Sequence, residues 1–249
     1  MDKSAYIAMS GARATLFAQT AVANNLANAQ TAGFKQAITN TLSVPINGNG
    51  YHSRINAMQA DVGFDDSAGA DVATGNPLDI ALRHEIWLAV QSPDGSEAYT
   101  RSGNLIPTPN GQLLAGGHPV MEENGGALVV PPYQSLQIAA DGTLSYIPLG
   151  GTASDLTILG RLRLVQAKQK QLRRDADGLM RSATPQTNLE PVDDDVLTTG
   201  AYETSNVNPA QNLVEMIQLQ RAFELQINLI KKGDENAQSA NTLIRLNGS

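Results

Sequence analysis

All twelve prolines of this 249-residue chain lie between Pro45 and Pro209. Proline lacks a backbone donor and clashes with the preceding turn of a helix, so its placement decides where long helices can form. Of the 22 glycines, only Gly11, Gly33, Gly233 and Gly248 fall outside that window. Both ends can therefore be long helices, and the middle must be rich in turns. The pattern predicts an α+β protein whose N- and C-terminal helices form a coiled-coil-like pair around a central antiparallel β-rich domain.

The first segment, residues 1–36, is rich in alanine, the best helix former. Ala5, Met9, Ala12, Leu16, Ala23 and Leu26 alternate in steps of four and three, with Gln19 in the missing slot. That is a two-in-seven apolar seam. It predicts a helix from about Asp2 to Ala29. Gly33 then closes it in a left-handed conformation, and Phe34 packs back on the last turn. The seam is too thin for a globular core and suits a partner helix at close approach. The last segment, residues 205–249, supplies one. Asn206 and Val207 precede Asn208, an N-cap residue, and Pro209 takes the first helical position. Leu213, Met216, Phe223, Ile227, Ile230, Ala237 and Ile244 share a seven-residue seam, broken by Gln220, Asp234 and Asn241. Val214, Ile217, Leu219, Ala222 and Leu229 widen the apolar face beyond what one partner needs. Asn24, Asn25 and Asn28 have two readings. They are polar residues on the wet side of an alanine helix, or their amides bond across close-packed helices and set register.

Between the helices, residues 37–75 are polar and glycine-spotted, with VPINGNG at 44–50, and predict an extended arm or hairpin. From 76 to 185 the period becomes two. Asp79–Leu82, Ile86–Val90, Glu97–Thr100, Leu136–Ala139, Leu144–Ile147 and Leu156–Val165 read as strands. Pro93-Asp94-Gly95, Asn110-Gly111, Asp141-Gly142 and Asp177-Gly178 read as hairpin turns. Residues 186–204 form the return connection to the last helix.

Several chemistries are poorly served. A net charge of −7 argues against nucleic acid as a partner, and the absence of cysteine removes thiolate chemistry. No apolar run approaches the ~20 residues that span a bilayer, so membrane insertion is not expected. Nor is a cleaved signal visible after Asp2, Lys3 and Ser4. His52, His84 and His118 are scattered. His84-Glu85 begins a zincin motif, but Leu88 stands where its second histidine should be. Asp175-Ala176-Asp177-Gly178 lacks the remaining ligands of a calcium loop, and Asp193-Asp194-Asp195 reads as solvated charge. No catalytic, cofactor or metal site is assigned. The basic run Arg161, Arg163, Lys168, Lys170, Arg173 and Arg174 reads either as a solvated sheet face or as a contact with an acidic neighbour or anionic polymer.

Asn24-Asn25-Leu26-Ala27-Asn28 followed by Thr31-Ala32-Gly33-Phe34-Lys35 resembles the N-terminal signature of bacterial flagellar rod and hook proteins. Ser205-Asn206-Val207-Asn208-Pro209, with Met216-Ile217 and Gln220-Arg221-Ala222-Phe223-Glu224, resembles their C-terminal signature. Asn76–Ala81, Tyr99-Thr100-Arg101-Ser102-Gly103 and Asp177–Arg181 resemble landmarks of the β-domain between them. The likeness spans nearly the whole chain in order and is strongest to the proximal-rod branch. Two departures stand out. Arg83-His84-Glu85-Ile86-Trp87 replaces the family's Gly-x-Gly-Phe-Phe, and Tyr202 replaces the leucine before the glutamate at Glu203.

The resemblance implies a structural subunit of the axial rod in the periplasm, exported without a cleaved signal by the flagellar type III apparatus. Its implied partners are other rod subunits and further copies of itself. The helix residues named above, with Gly33, Phe34, Asn206 and Arg221, would then be assembly residues. Distal-rod or hook-type membership is the nearest alternative. A cell-wall hydrolase with a helical docking stalk and a monomeric adaptor for an export chaperone or rod cap are the rivals from other classes.

Overall fold

The computed structural model describes residues 3–45, 55–175, 177–184, 189–192 and 194–246. It divides into two compact units, each made of discontinuous segments. The first comprises residues 1–27, 37–63 and 208–249, and the second residues 28–36 and 64–207.

The helical unit holds α1 (Lys3–Ala27), the paired strands β1 (Ala37–Pro45) and β2 (Ile55–Phe64), and the 38-residue α2 (Pro209–Leu246). Phe64, the last residue of β2, belongs to the other unit. Residues 37–63, expected as an arm, thus accompany the helices, whereas 28–36, expected with the first helix, do not. Residues 46–54, which take in all of the VPINGNG element after Pro45, lie outside the described residues. Asn208 caps α2 as its position demands. Its side-chain oxygen accepts from the N–H of Ala210 at 3.1 Å and of Gln211 at 3.2 Å.

The two helices pack on each other, but not along the expected seams. On α1 the covered stripe is Ala8, Ala12, Thr15, Gln19, Val22 and Leu26, while Met9, Leu16 and Ala23 are exposed. On α2 it is Asn212, Met216, Leu219, Phe223, Gln226, Ile230, Gly233 and Ala237, while Leu213, Gln220 and Asp234 are exposed. Ile227 is half-covered beside this stripe, and the side chain of Ile244 lies outside the described residues. In both helices one of the two seam positions is met and the other falls one residue earlier. The physical reason is volume. Small and polar residues of α1, Ala8, Ala12, Thr15 and Gln19, let the backbones approach there, while some of the larger apolar side chains, Met9, Leu16 and Leu213 among them, remain on the outer flank.

Among its described residues the β unit is built from short antiparallel strands: β3 (Asp71–Ala73), β4 (Ile80–Leu82), β5 (Ile86–Gln91), β6 (Glu97–Thr100), β7 (Leu105–Pro107), β8 (Leu113–Ala115), β9 (His118–Pro119), β10 (Tyr133–Ile138), β11 (Thr143–Pro148), β12 (Thr157–Arg161), β13 (Leu164–Gln166), β14 (Leu172–Arg174), β15 (Met180–Ser182), β16 (Leu197–Thr199) and β17 (Ala201–Glu203). The central sheet has the order β13-β5-β6-β15-β14. Two three-stranded sheets, β10-β11-β12 and β7-β8-β9, and the pairs β16-β4 and β17-β3 complete it. Strand β5 is buried on both faces. Ile86, Leu88 and Val90 join one core, and Trp87 and Ala89 join another with Phe64, Tyr99 and Met180. Burying each large aliphatic side chain contributes ~1.5–3 kcal/mol. The apolar run Leu156–Val165, expected as one strand, is two. β12 pairs with β11, and after Leu162 the chain changes sheets so that β13 pairs with β5.

Glu85 enters β5 at φ +64°, the only non-glycine with positive φ among the described residues. It stands where the family resemblance places the second glycine of Gly-x-Gly. A left-handed backbone costs a residue with a Cβ roughly 1–2 kcal/mol. Glu85→Gly should therefore stabilise the β unit by about 1 kcal/mol in denaturant unfolding. An unchanged or lowered midpoint would show that the turn carries no such strain.

Candidate functional site

The residues that resemble the terminal signatures meet inside the β unit, around one carboxylate. Glu203, at the end of β17, is 2% exposed, and so are Lys35 and the Arg101 side chain. Its Oε1 accepts from Lys35 Nζ at 2.9 Å and from the Gly69 N–H at 2.8 Å. Its Oε2 accepts from Arg101 Nε at 2.6 Å and is ion-paired with Nη2 at 2.5 Å. Arg101 donates further to the carbonyls of Leu82, Arg83 and Ile86, at 2.7, 3.1 and 2.7 Å. Four of its five guanidinium N–H groups are thereby hydrogen-bonded, and each of its three nitrogens donates at least once. Lys35 completes its set on the carbonyls of Ser67, at 2.7 Å, and Asp66, at 3.5 Å. Trp87 lies under the guanidinium, 5.7 Å from ring centre to Arg101 Cζ.

Burial alone would raise the Glu203 pKa, but Arg101, Lys35 and the Gly69 N–H outweigh it and hold the carboxyl below the ordinary glutamate value. Burial pushes Lys35 below the ordinary lysine value against the opposing pull of Glu203. The cluster carries two cations for one anion, and the ring of carbonyls makes up the difference.

Backbone bonds extend the junction. The Gly33 N–H donates to the Glu203 carbonyl at 2.7 Å, and the Asn206 N–H to the Phe34 carbonyl at 3.3 Å. The side chain of Asn206 accepts from the Gln36 N–H at 2.7 Å and donates to the carbonyls of Asp65 and Ser67, each at 3.0 Å. Gly33 is at φ +65°, and a Cβ there would stand 2.1 Å from the Arg101 carbonyl oxygen. Only glycine fits. The segments that continue into α1 and α2 are thus fastened to each other through residues 33–36 and 203–206.

Several expected roles change. Phe34 is covered by a cation. Arg174 stands over its ring at 4.3 Å and donates to the Lys35 carbonyl at 3.0 Å. Asn25, 1% exposed, sets no helix–helix register, because both ends of its amide are spent on the backbone of Ala37, at 2.9 and 2.8 Å. Asn28 caps the turn to Thr31, and Asn24 is exposed. Val207 is buried, while Arg221 and Ile217 are exposed. The basic run divides. Arg161, Arg163 and Arg174 serve local contacts with Asp141, Glu97, Glu123 and Lys35, and Lys168, Lys170 and Arg173 face solvent. Arg181 takes up both Asp175 and Asp177, so that loop is an arginine-bound turn. Among the described residues no group of three or more His, Asp or Glu is placed to hold a metal ion, and no helix is long and apolar enough to cross a membrane.

Lys35, Arg101 and Glu203 carry no local signal of a site beyond being lone charges set among glycine, alanine and hydroxyl residues. The helices add a second feature. Tyr6, Met9, Leu16 and Phe17 on α1 and Leu213, Val214, Ile217, Leu225 and Leu229 on α2 are large apolar side chains left exposed, the last two at 65% each.

Residues 6–35 match the family model described as "Flagella basal body rod protein". Residues 82–146 match "Flagellar hook protein FlgE/F/G D1 domain", and 198–243 match "Flagellar basal body rod FlgEFG protein C-terminal". Each stretch contributes one member of the buried charge cluster. The fold and these matches define a flagellar axial protein, and the chain belongs to the family of flagellar basal-body rod proteins. It is similar to the flagellar basal-body rod protein FlgF of Escherichia coli K12, at 40% identity over 251 residues, covering 99% of this chain and 100% of the relative. FlgF of Salmonella typhimurium LT2 is 39% identical over the same span and coverage. FlgG of Bacillus subtilis 168 is 30% identical over 267 residues, covering 98% and 100%. The chain is a structural rod subunit of the flagellar basal body, more similar to these FlgF proteins than to this FlgG.

Removing one partner from a buried, hydrogen-bonded ion group costs about 3–5 kcal/mol. Glu203→Gln should destabilise the β unit by that order at pH 7, because two buried cations lose their anion. The pH dependence has a definite sign. The folded pKa of Glu203 lies below its ordinary value of 4.5, so its stabilisation is present above pH 4.5 and is lost as pH falls toward the folded pKa. Stability of the native chain measured from pH 7 down to 3 should fall more steeply than that of Glu203→Gln. Parallel curves would contradict the role of this carboxylate.

Proposed function

We propose that the chain is a non-enzymatic subunit of the proximal rod, built into the axial shaft in the periplasm through its helical unit. The similarity to FlgF proteins supports the proximal position over the distal one. The observation that carries the mode of assembly is the exposed apolar flank of α1 and α2. A helix pair that leaves Leu16, Leu225 and Leu229 in water needs neighbours to cover them. In the shaft the pair works as a coiled-coil element, and copies of itself and of other rod subunits supply the covering helices. Export proceeds through the flagellar type III apparatus without a cleaved signal, and the helical unit orders fully on incorporation. The chemistry is that of a scaffold. Glu203, the most deeply buried carboxylate, spends both oxygens on structural donors.

Exposed residues give the cleanest test, because charging them leaves the lone subunit's core intact. Leu16→Asp and Leu229→Asp should each change the stability of the purified subunit by no more than about 0.5 kcal/mol. Both variants should be exported, absent from purified basal bodies, and unable to restore swimming to cells lacking the native chain. Normal incorporation of both would contradict assembly through this flank.

A further inference from the structure

The helix–helix contact contains a polar point that the apolar pattern did not anticipate. Gln226 of α2 lies against Gly11, the only glycine of α1. A Cβ on Gly11 would come within 2.9 Å of the Gln226 carboxamide nitrogen, so the missing side chain forms a notch that the carboxamide fills. Thr15, one turn on and buried, places its hydroxyl 2.9 Å from the Gly11 carbonyl oxygen and 3.2 Å from Gln226 Oε1. Its single hydrogen serves the notch and the carboxamide alike. A second polar residue occupies the same stripe two heptads earlier. Asn212, 1% exposed, donates to the Asn208 carbonyl at 2.9 Å, and its Oδ1 has no partner among the described residues.

We propose that Gln226, received by the Gly11 notch and bonded to Thr15, fixes the axial register of α1 on α2. The physical case is one of competition. A stripe of alanine, leucine and phenylalanine packs nearly as well after a slip of one heptad, about 10 Å along the axis. A carboxamide does not, because it meets its notch and hydroxyl at one position only and is left unpaired, with its desolvation uncompensated, at every other. Stability is given up for a single alignment, which fixes where Leu16 and Leu229 stand relative to each other. The inference rests on the reading of the helical unit as the assembling part, but its test needs no rod.

The chain has no cysteine, so spin labels can be placed cleanly at two exposed positions, Leu16→Cys and Val214→Cys. Pulsed dipolar spectroscopy on the purified full chain should give one narrow distance. With Gln226→Leu, and separately with Thr15→Val, the distribution should broaden or gain a second population displaced by about 10 Å, while helical circular dichroism is retained or rises. Three results overturn the proposal: a broad distribution in the native chain, an unchanged narrow distance in both variants, or loss of helix in Gln226→Leu, which would make the residue a plain stability contact.

Discussion

A single carboxylate, Glu203, holds together the part of this structure on which the rest depends. Lys35 reaches it from 168 residues earlier in the chain and Arg101 from 102 residues earlier. A charge taken out of water is costly unless it is paired and hydrogen-bonded, and here both oxygens of Glu203, the Lys35 ammonium and all three nitrogens of Arg101 are engaged. A slipped pairing would strand at least one buried ion. The cluster therefore specifies one alignment of residues 33–36 against 203–206 more sharply than apolar packing could. The steric fit at Gly33 reinforces it, since no other residue tolerates the Arg101 carbonyl so close.

The two units use opposite strategies. The β unit is self-sufficient, with doubly buried strands and an ionic core. The helical unit leaves many of its large apolar side chains, among them Leu16, Leu213, Leu225 and Leu229, exposed. Under the proposed mode of assembly, that surplus apolar area is what neighbouring subunits would cover.

Much of the fold was legible from residue placement. The confinement of proline marked both helices, Asn208-Pro209 marked the start of α2, and Gly95, Gly111, Gly142 and Gly178 all take the positive φ that their turn motifs require. The seams were half legible. Counting apolar residues favours Leu213 and Leu16, whereas close packing favours Gly11, Thr15 and Gln226, which hydropathy ignores. The charge cluster was not legible as a site. Lys35, Arg101 and Glu203 look like ordinary surface charges until the fold brings them together, and no local pattern encodes a pairing across 168 residues. Asn25 reads from the sequence as either solvated or bonded across helices, and its partner is instead the backbone of Ala37.

Native-state hydrogen exchange on the purified full-length protein tests the central claim most directly. If the ionic junction makes residues 33–36 and 203–206 integral to the β unit, the Gly33 and Asn206 amides should exchange only with the global opening that also releases Leu88 and Val90 of β5. The exposed ends of α1 and α2 should exchange by separate, cheaper openings. Rapid exchange at Gly33 and Asn206 while β5 stays protected would show that the junction is peripheral, and would contradict the dependence of the fold on Glu203.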